Sequence, residues 1–118
     1  MVNKVILLGH LCADPEVRVM PDGKHVTSMR VATNQFGPRD EAGNRKEYSQ
    51  FHRIVMFGRL AEIAGSYLRK GRMVYAEGYL QHTSWEGQDG QARYRSEVVA
   101  STLHLLGPRP PGVDVDDR

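Results

Sequence analysis

The 118-residue chain has a single cysteine, a single tryptophan and three phenylalanines, and its formal net charge is only +2. One cysteine cannot close an internal disulfide, which excludes a disulfide-stapled scaffold and fits a reducing cytosol. Long apolar runs are also missing. The run from Val5 to Leu8 is ended by Gly9 and His10. A secretory core needs about 7–15 apolar residues and a membrane span about 20. No signal segment or membrane contact is therefore expected, and the chain reads as a cytoplasmic protein.

Chemistry-bearing motifs are absent too. There is no phosphate-cradling G-x-x-x-x-G-K-[ST], no G-x-G-x-x-G after a strand and no nucleophile elbow. The carboxylates are scattered through turns or beside Lys and Arg, which is the pattern of solvated surface. His10 and Cys12 share one strand face, but His25, His52, His82 and His104 are isolated, whereas a structural zinc uses four ligands at paired spacings. No enzyme activity, metal or cofactor is expected.

What is present is a series of short strands separated by turn chemistry, with one helix. Val5 to Leu8 is the first strand, and Asp14-Pro15 marks a bend. Glu16 to Met20 alternates ahead of the Pro21-Asp22-Gly23 turn. Val26 to Thr33 is followed by a polar excursion, Gly37 to Asn44, long for a hairpin connection. Glu47 to Phe57 is the most informative strand. Leu60, Ile63, Ala64, Tyr67 and Leu68 then mark one stripe of an amphipathic helix, with Arg69 and Lys70 at its end and Gly71 as its cap. Two further strands span Met73–Thr83 and Tyr94–Leu106, joined by Ser84 to Gln91. The expectation is an all-β, five-stranded barrel over 1–107, closed or nearly so, with the single helix between strands 3 and 4 plugging one end. From Pro108 to Arg118 a Pro-rich and then acidic composition predicts an extended, flexible tail.

The Glu47–Phe57 strand carries the functional signal. Phe51, Arg53, Val55 and Phe57 share one face, and Tyr48, His52, Ile54 and Met56 share the other. Arg is seldom buried unpaired, so a face of two aromatics and an arginine is a poor core face. It suits a flat, anionic ligand. Single-stranded nucleic acids bind by stacking bases on rings while cations follow the phosphates. Trp85 lies in a Gly-rich turn, Arg39, Arg45 and Lys46 edge the long excursion, and Arg93 and Arg95 flank Tyr94. On pattern alone a second reading stays open, in which Phe51 and Phe57 are core and the cations only solubilise.

Specific strings go further. Asn3-Lys4-Val5-Ile6-Leu7-Leu8-Gly9-His10-Leu11 with Asp14-Pro15-Glu16-Val17-Arg18 resembles the start of bacterial single-stranded DNA-binding proteins. So do Phe51-His52-Arg53-Ile54-Val55-Met56-Phe57-Gly58, Tyr67-Leu68-Arg69-Lys70-Gly71 and Val74-Tyr75-Ala76-Glu77-Gly78. Arg93-Tyr94 and Glu97-Val98-Val99 close a match that runs in order over about residues 1 to 107.

This resemblance implies an OB-fold barrel, assembled as a homotetramer and associated with the nucleoid, that coats single-stranded DNA during replication, recombination and repair. The family's stacking aromatics map onto Phe51, Phe57 and Trp85. The best-known members carry Trp where this chain has Phe51, so weaker stacking is expected there. Phe36 stands beside Gly37, the position of a further family Trp, and is the candidate substitute. Lys4, Arg18, Arg39, Arg45, Lys46 and Arg53 would contact phosphates, and Arg30 would add a contact. His52 matches a position near a subunit contact. Family members usually end in an acidic tip with a proline and an aromatic that docks replication and repair enzymes. This chain ends at Asp116-Asp117-Arg118, so such docking is not carried over. Two alternatives are a primosome-type OB accessory protein and an OB interaction module without DNA binding.

Overall fold

In a computed structural model, described for residues 1–107, six strands and one helix follow the order β1 (Val5–Leu11), β2 (Glu16–Val19), β3 (His25–Arg39), β4 (Arg45–Phe57), α1 (Gly58–Tyr67), β5 (Met73–Glu86) and β6 (Ala92–Leu106). The expected tail, 108–118, lies outside the described residues. The sheet order is β1-β5-β6-β4-β3-β2, and β1 also pairs with β3. That extra pairing closes a five-stranded barrel, with β2 attached as a short hairpin partner of β3. The architecture is that of an OB-fold, and α1 follows the strand ending at Phe57 as expected. Pairing of Glu16–Val19 simply adds one to the strand count before it.

The barrel seam is short. His10 pairs with Ala32 and Leu11 with Val31. Gly9 crosses so near β3 that a Cβ there would lie 2.2 Å from the Ala32 carbonyl oxygen. Inside, Leu11, Met29, Val31, Ile54, Met56, Val74 and Ala76 form the core with Val98 and Ala100. Strand alternation accounts for this: Ile54 and Met56 turn inward while Phe51 and Phe57 turn outward and are half exposed.

The helix packs on one end of the core, on a face centred differently from the expected stripe. Ala61, Ala64 and the following Leu68 are fully buried, whereas Leu60, Ile63 and Tyr67 are only partly so. The Thr27 hydroxyl donates to the Ala61 carbonyl at 2.7 Å, drawing the helix onto β3. α1 stops at Tyr67, and Leu68 is already extended. Gly71 therefore does not cap the helix; it sits in the next turn and its N–H donates to the Leu11 carbonyl. Arg69 closes the helix end instead, its guanidinium donating to the Leu68 and Gly65 carbonyls at 2.6 and 3.3 Å.

The expected excursion from Gly37 to Asn44 is mostly strand. β3 continues to Arg39 through an irregularity between Phe36 and Arg39, and β4 begins at Arg45. Only the tip, Asp40 to Asn44, is a turn, tied by Asp40 Oδ1 accepting from the Ala42 and Asn44 N–H groups. Beyond Ala32 and Phe51 neither strand has another strand neighbour among the described residues, so β3 and β4 project as a two-stranded arm. Seven residues of β3 (33–39) and six of β4 (45–50) give it a reach of about 20 Å. The far ends of β5 and β6 form a second arm, on which Trp85 pairs with Arg93 inside the ladder, rather than lying in a turn.

Candidate nucleic-acid interface

Register places the outward residues of four strands on one continuous face. Arg30 lies opposite Arg53, Ala32 opposite Phe51 and Phe36 opposite Glu47 on the β3–β4 arm. The parallel β4–β6 contact aligns Val55 with Val99, which carries the same face onto β6 and β5. There Glu97 pairs with Gln81, Arg95 with Thr83 and Arg93 with Trp85.

Cations and rings meet along this face. The Arg30 guanidinium carbon lies 4.6 Å from the Phe51 ring centroid, and that of Arg95 lies 5.3 Å from the Trp85 ring. Between them sits Glu97, a buried carboxylate. Its Oε2 accepts from Arg53 Nε at 3.1 Å and pairs with Arg95 Nε at 3.3 Å. The amide of Gln81 donates to its other oxygen at 3.3 Å. Both guanidiniums are therefore gripped through Nε, which leaves their terminal nitrogens free for phosphate oxygens. The result is a line of charge with a ring at each end: Phe51 with Arg30, then Arg53, Glu97 and Arg95, then Trp85.

An open cleft of 530 Å³ lies at the Phe51 end, lined by Arg30, Phe51 and Arg53, with Asp14 and Glu16 supplying carboxylates. Those two acids make the cleft less attractive to a polyanion than its arginines alone would. Phe57, half exposed, faces outward opposite Val26, which in turn pairs with Arg18 on β2. Phe36 is 62% exposed at the far end of the β3–β4 arm, facing Glu47. Arg39 and Arg45 pair at the arm tip, where Arg39 donates to the Gly43 carbonyl at 2.9 Å. Arg93 is partly neutralised by Asp89 at 2.9 Å.

Three expected site residues lie off this face. Lys46 is on the reverse of the β3–β4 arm, its ammonium 5.4 Å from the Tyr48 ring. Lys4 is beside β1, paired with Glu77 at 3.8 Å. The same Glu77 accepts a hydrogen bond from the Tyr75 hydroxyl, which raises that phenol above its ordinary pKa. His52 points to the inner side of the sheet, where its Nε2 meets the Thr33 hydroxyl at 2.8 Å within the same chain. Among the described residues no three His, Cys, Asp or Glu side chains gather as metal ligands would, and no helix is long and apolar enough to cross a membrane.

Glu97 was not among the candidate residues, because a glutamate three positions after Tyr94 reads as surface until the β4–β6 pairing buries it. Glu97→Gln is expected to lower stability by about 1–2 kcal/mol, since two half-exposed guanidiniums lose a charged acceptor. The same change frees positive charge on the face. A salt titration of polyanion binding should steepen by about 0.7 in log–log slope, one further single-strand phosphate. An unchanged slope would show that neither arginine reaches a phosphate path.

A family model described as the single-strand binding protein family matches residues 2–106. Among solved structures, the chain superposes on the Plasmodium falciparum SSB determined in complex with ssDNA with a TM-score of 0.83 and 28% identity, covering 91% of this chain and 97% of that one. A deletion mutant of the single-stranded DNA binding protein from Thermus aquaticus aligns at 31% identity and a TM-score of 0.78. That alignment takes in 92% of this chain but only 52% of the Thermus chain, so this protein spans about half of it. With the motif match running through nearly every described residue and the same barrel beneath it, the chain belongs to the single-strand binding protein family.

Proposed function

We propose that this protein binds single-stranded DNA without sequence preference, using its outward ring-and-arginine face, and coats it during replication, recombination and repair. The observation that carries this reading is the unbroken line from the Phe51 ring and Arg30 through Arg53, Glu97 and Arg95 to the Trp85 ring. Rings contribute stacking that every base accepts, and arginines contribute the salt-dependent phosphate term. Every base has a stacking face and every nucleotide a phosphate, so sequence tolerance follows. Phe57 and Phe36 extend the stacking surface, while Arg18, Arg39, Arg45 and Arg93 border it. Family proteins of this kind bind and do not catalyse.

A homotetramer of bacterial origin, in the cytoplasm and on the nucleoid, completes the proposal. Its support is that Ile6 and Leu8 stand outward on β1, each more than half exposed, beside half-exposed Tyr79. Adjacent apolar side chains left in water are the mark of an assembly surface. His52 stands at the inner edge of the β3–β4 arm, where a subunit contact would reach it.

The test is the mass of the complex with long single-stranded DNA, read together with anisotropy on single-stranded and duplex oligomers. Four subunits per wrapped segment and a strong preference for the single strand are expected. A dimer with a small footprint would favour a primosome-type accessory protein. Absence of salt-sensitive binding to either oligomer would leave an interaction module.

A further inference from the structure

The β3–β4 arm has two faces, and only one of them belongs to the line described above. Among the described residues three cation–ring pairs occur, two on that front face and the third, Lys46 with Tyr48, on the reverse. The Tyr48 ring is not simply dangling in solvent. A Cβ at Gly37 would lie 2.9 Å from Tyr48 Cε2, so that edge of the ring is held against the Gly37 backbone, while 47% of the residue is exposed. A ring held at one edge, half exposed and with an ammonium beside it is a stacking platform of the same kind as the ring–cation pairs on the front.

Charge on this face has one sign. Alternation puts Thr33, Gln35 and Gly37 of β3 beside Lys46, Tyr48 and Gln50 of β4, none of them acidic, whereas the front of the same arm carries Glu47. Among the described residues no further strand pairs with either edge of the arm past Ala32 and Phe51, so none of their strands blocks a polynucleotide that turns the edge from the front face.

Resting on the reading given above, we propose that Tyr48, held against Gly37 and flanked by Lys46, is a separate base-stacking station on the reverse of the arm. It takes a segment of the same single-stranded polynucleotide after that segment has passed around the arm.

Oligo-dT of about 6 and about 16 nucleotides, within the range of OB-fold site sizes, distinguishes the two faces in the full-length protein. Tyr48→Ala should leave the shorter oligomer's affinity unchanged and weaken the longer one by roughly 5- to 150-fold, the loss of one stacked base. Tyr48→Phe should bind both like the parent. Gly37→Val, which keeps Tyr48 but lifts its ring, should reproduce the Tyr48→Ala defect. An iodouracil-substituted long oligomer should photocrosslink at Tyr48. Equal binding of both lengths by Tyr48→Ala would overturn the proposal. So would a change in subunit count without a change in affinity, which would make the face a contact between copies. If the parent protein binds neither oligomer, the front-face reading itself fails.

Discussion

The double variant Phe51→Ala with Trp85→Ala is expected to bind single-stranded DNA about 30-fold to about 25,000-fold more weakly than the parent. Each stacked base contributes about 1–3 kcal/mol by alanine substitution, and the two rings stand on different arms, so their losses approach additivity. Both rings already have one neighbour, Arg30 over Phe51 and Arg95 beside Trp85. In the proposed binding mode a base takes the opposite face, making a sandwich of guanidinium, ring and base. Removing the rings leaves the arginines in place, with Arg53 and Arg95 still gripped by Glu97. The salt slope should consequently stay the same while affinity falls. Both rings are about half exposed, so the unfolding midpoint should scarcely move. Anisotropy with a labelled oligomer at several salt concentrations reads affinity and slope together. Undiminished affinity would remove the rings from the binding account, and a large fall in stability would assign them to the core.

Gly9→Ala should damage the fold rather than the face. The added Cβ would meet the Ala32 carbonyl oxygen at 2.2 Å and Val31 Cγ1 at 2.8 Å. The first of these is backbone, and it belongs to the seam where His10 and Leu11 make the whole β1–β3 pairing. No rotamer change relieves that collision, so β1 must move and the barrel opens at its narrowest join. Overpacking of this kind costs about 3 kcal/mol or somewhat more, and for a domain of this size the thermal midpoint should fall by roughly 10–20 °C. Circular dichroism melts of the two proteins provide the measurement. A midpoint within about 2 °C of the parent, well under the shift expected from 1 kcal/mol, would mean that the seam is not a tight closure.

How much of this was legible beforehand depended on distance along the chain. Alternation within β4 put Phe51 and Phe57 on one face and Ile54 and Met56 on the other, but left open whether the two rings were core; their half exposure closes that second reading. The helix was legible as an amphipathic stripe, but its contact is set by size rather than hydropathy. α1 lies so close to β2 that a Cβ at Gly65 would come within 2.7 Å of Val17 Cγ2, and the alanines make the core contact while Leu60 and Tyr67 lie at the margin. Gly37 to Asn44 read as one long polar excursion, and its Pro38 lacks a ladder donor. On an arm with free edges that donor is not needed, and the strand runs on to Arg39. The pairs that build the interface were not legible at all. Arg30 reaches Phe51 diagonally across a ladder, and Glu97 meets Arg53 across 44 residues of sequence. Such pairs need the register, which no local pattern contains. Tyr48 is a similar case: alternation put it opposite Phe51, but its seat on Gly37 exists only once β3 and β4 are aligned.

Trp85 is the sole tryptophan, so its emission reports one position on the proposed path without ambiguity. Titrating the unmodified protein with oligo-dT at low and high salt should quench that emission to saturation, with binding weakening steeply as salt rises. Unchanged Trp85 emission together with no salt-sensitive association would contradict the claim that this face binds single-stranded DNA.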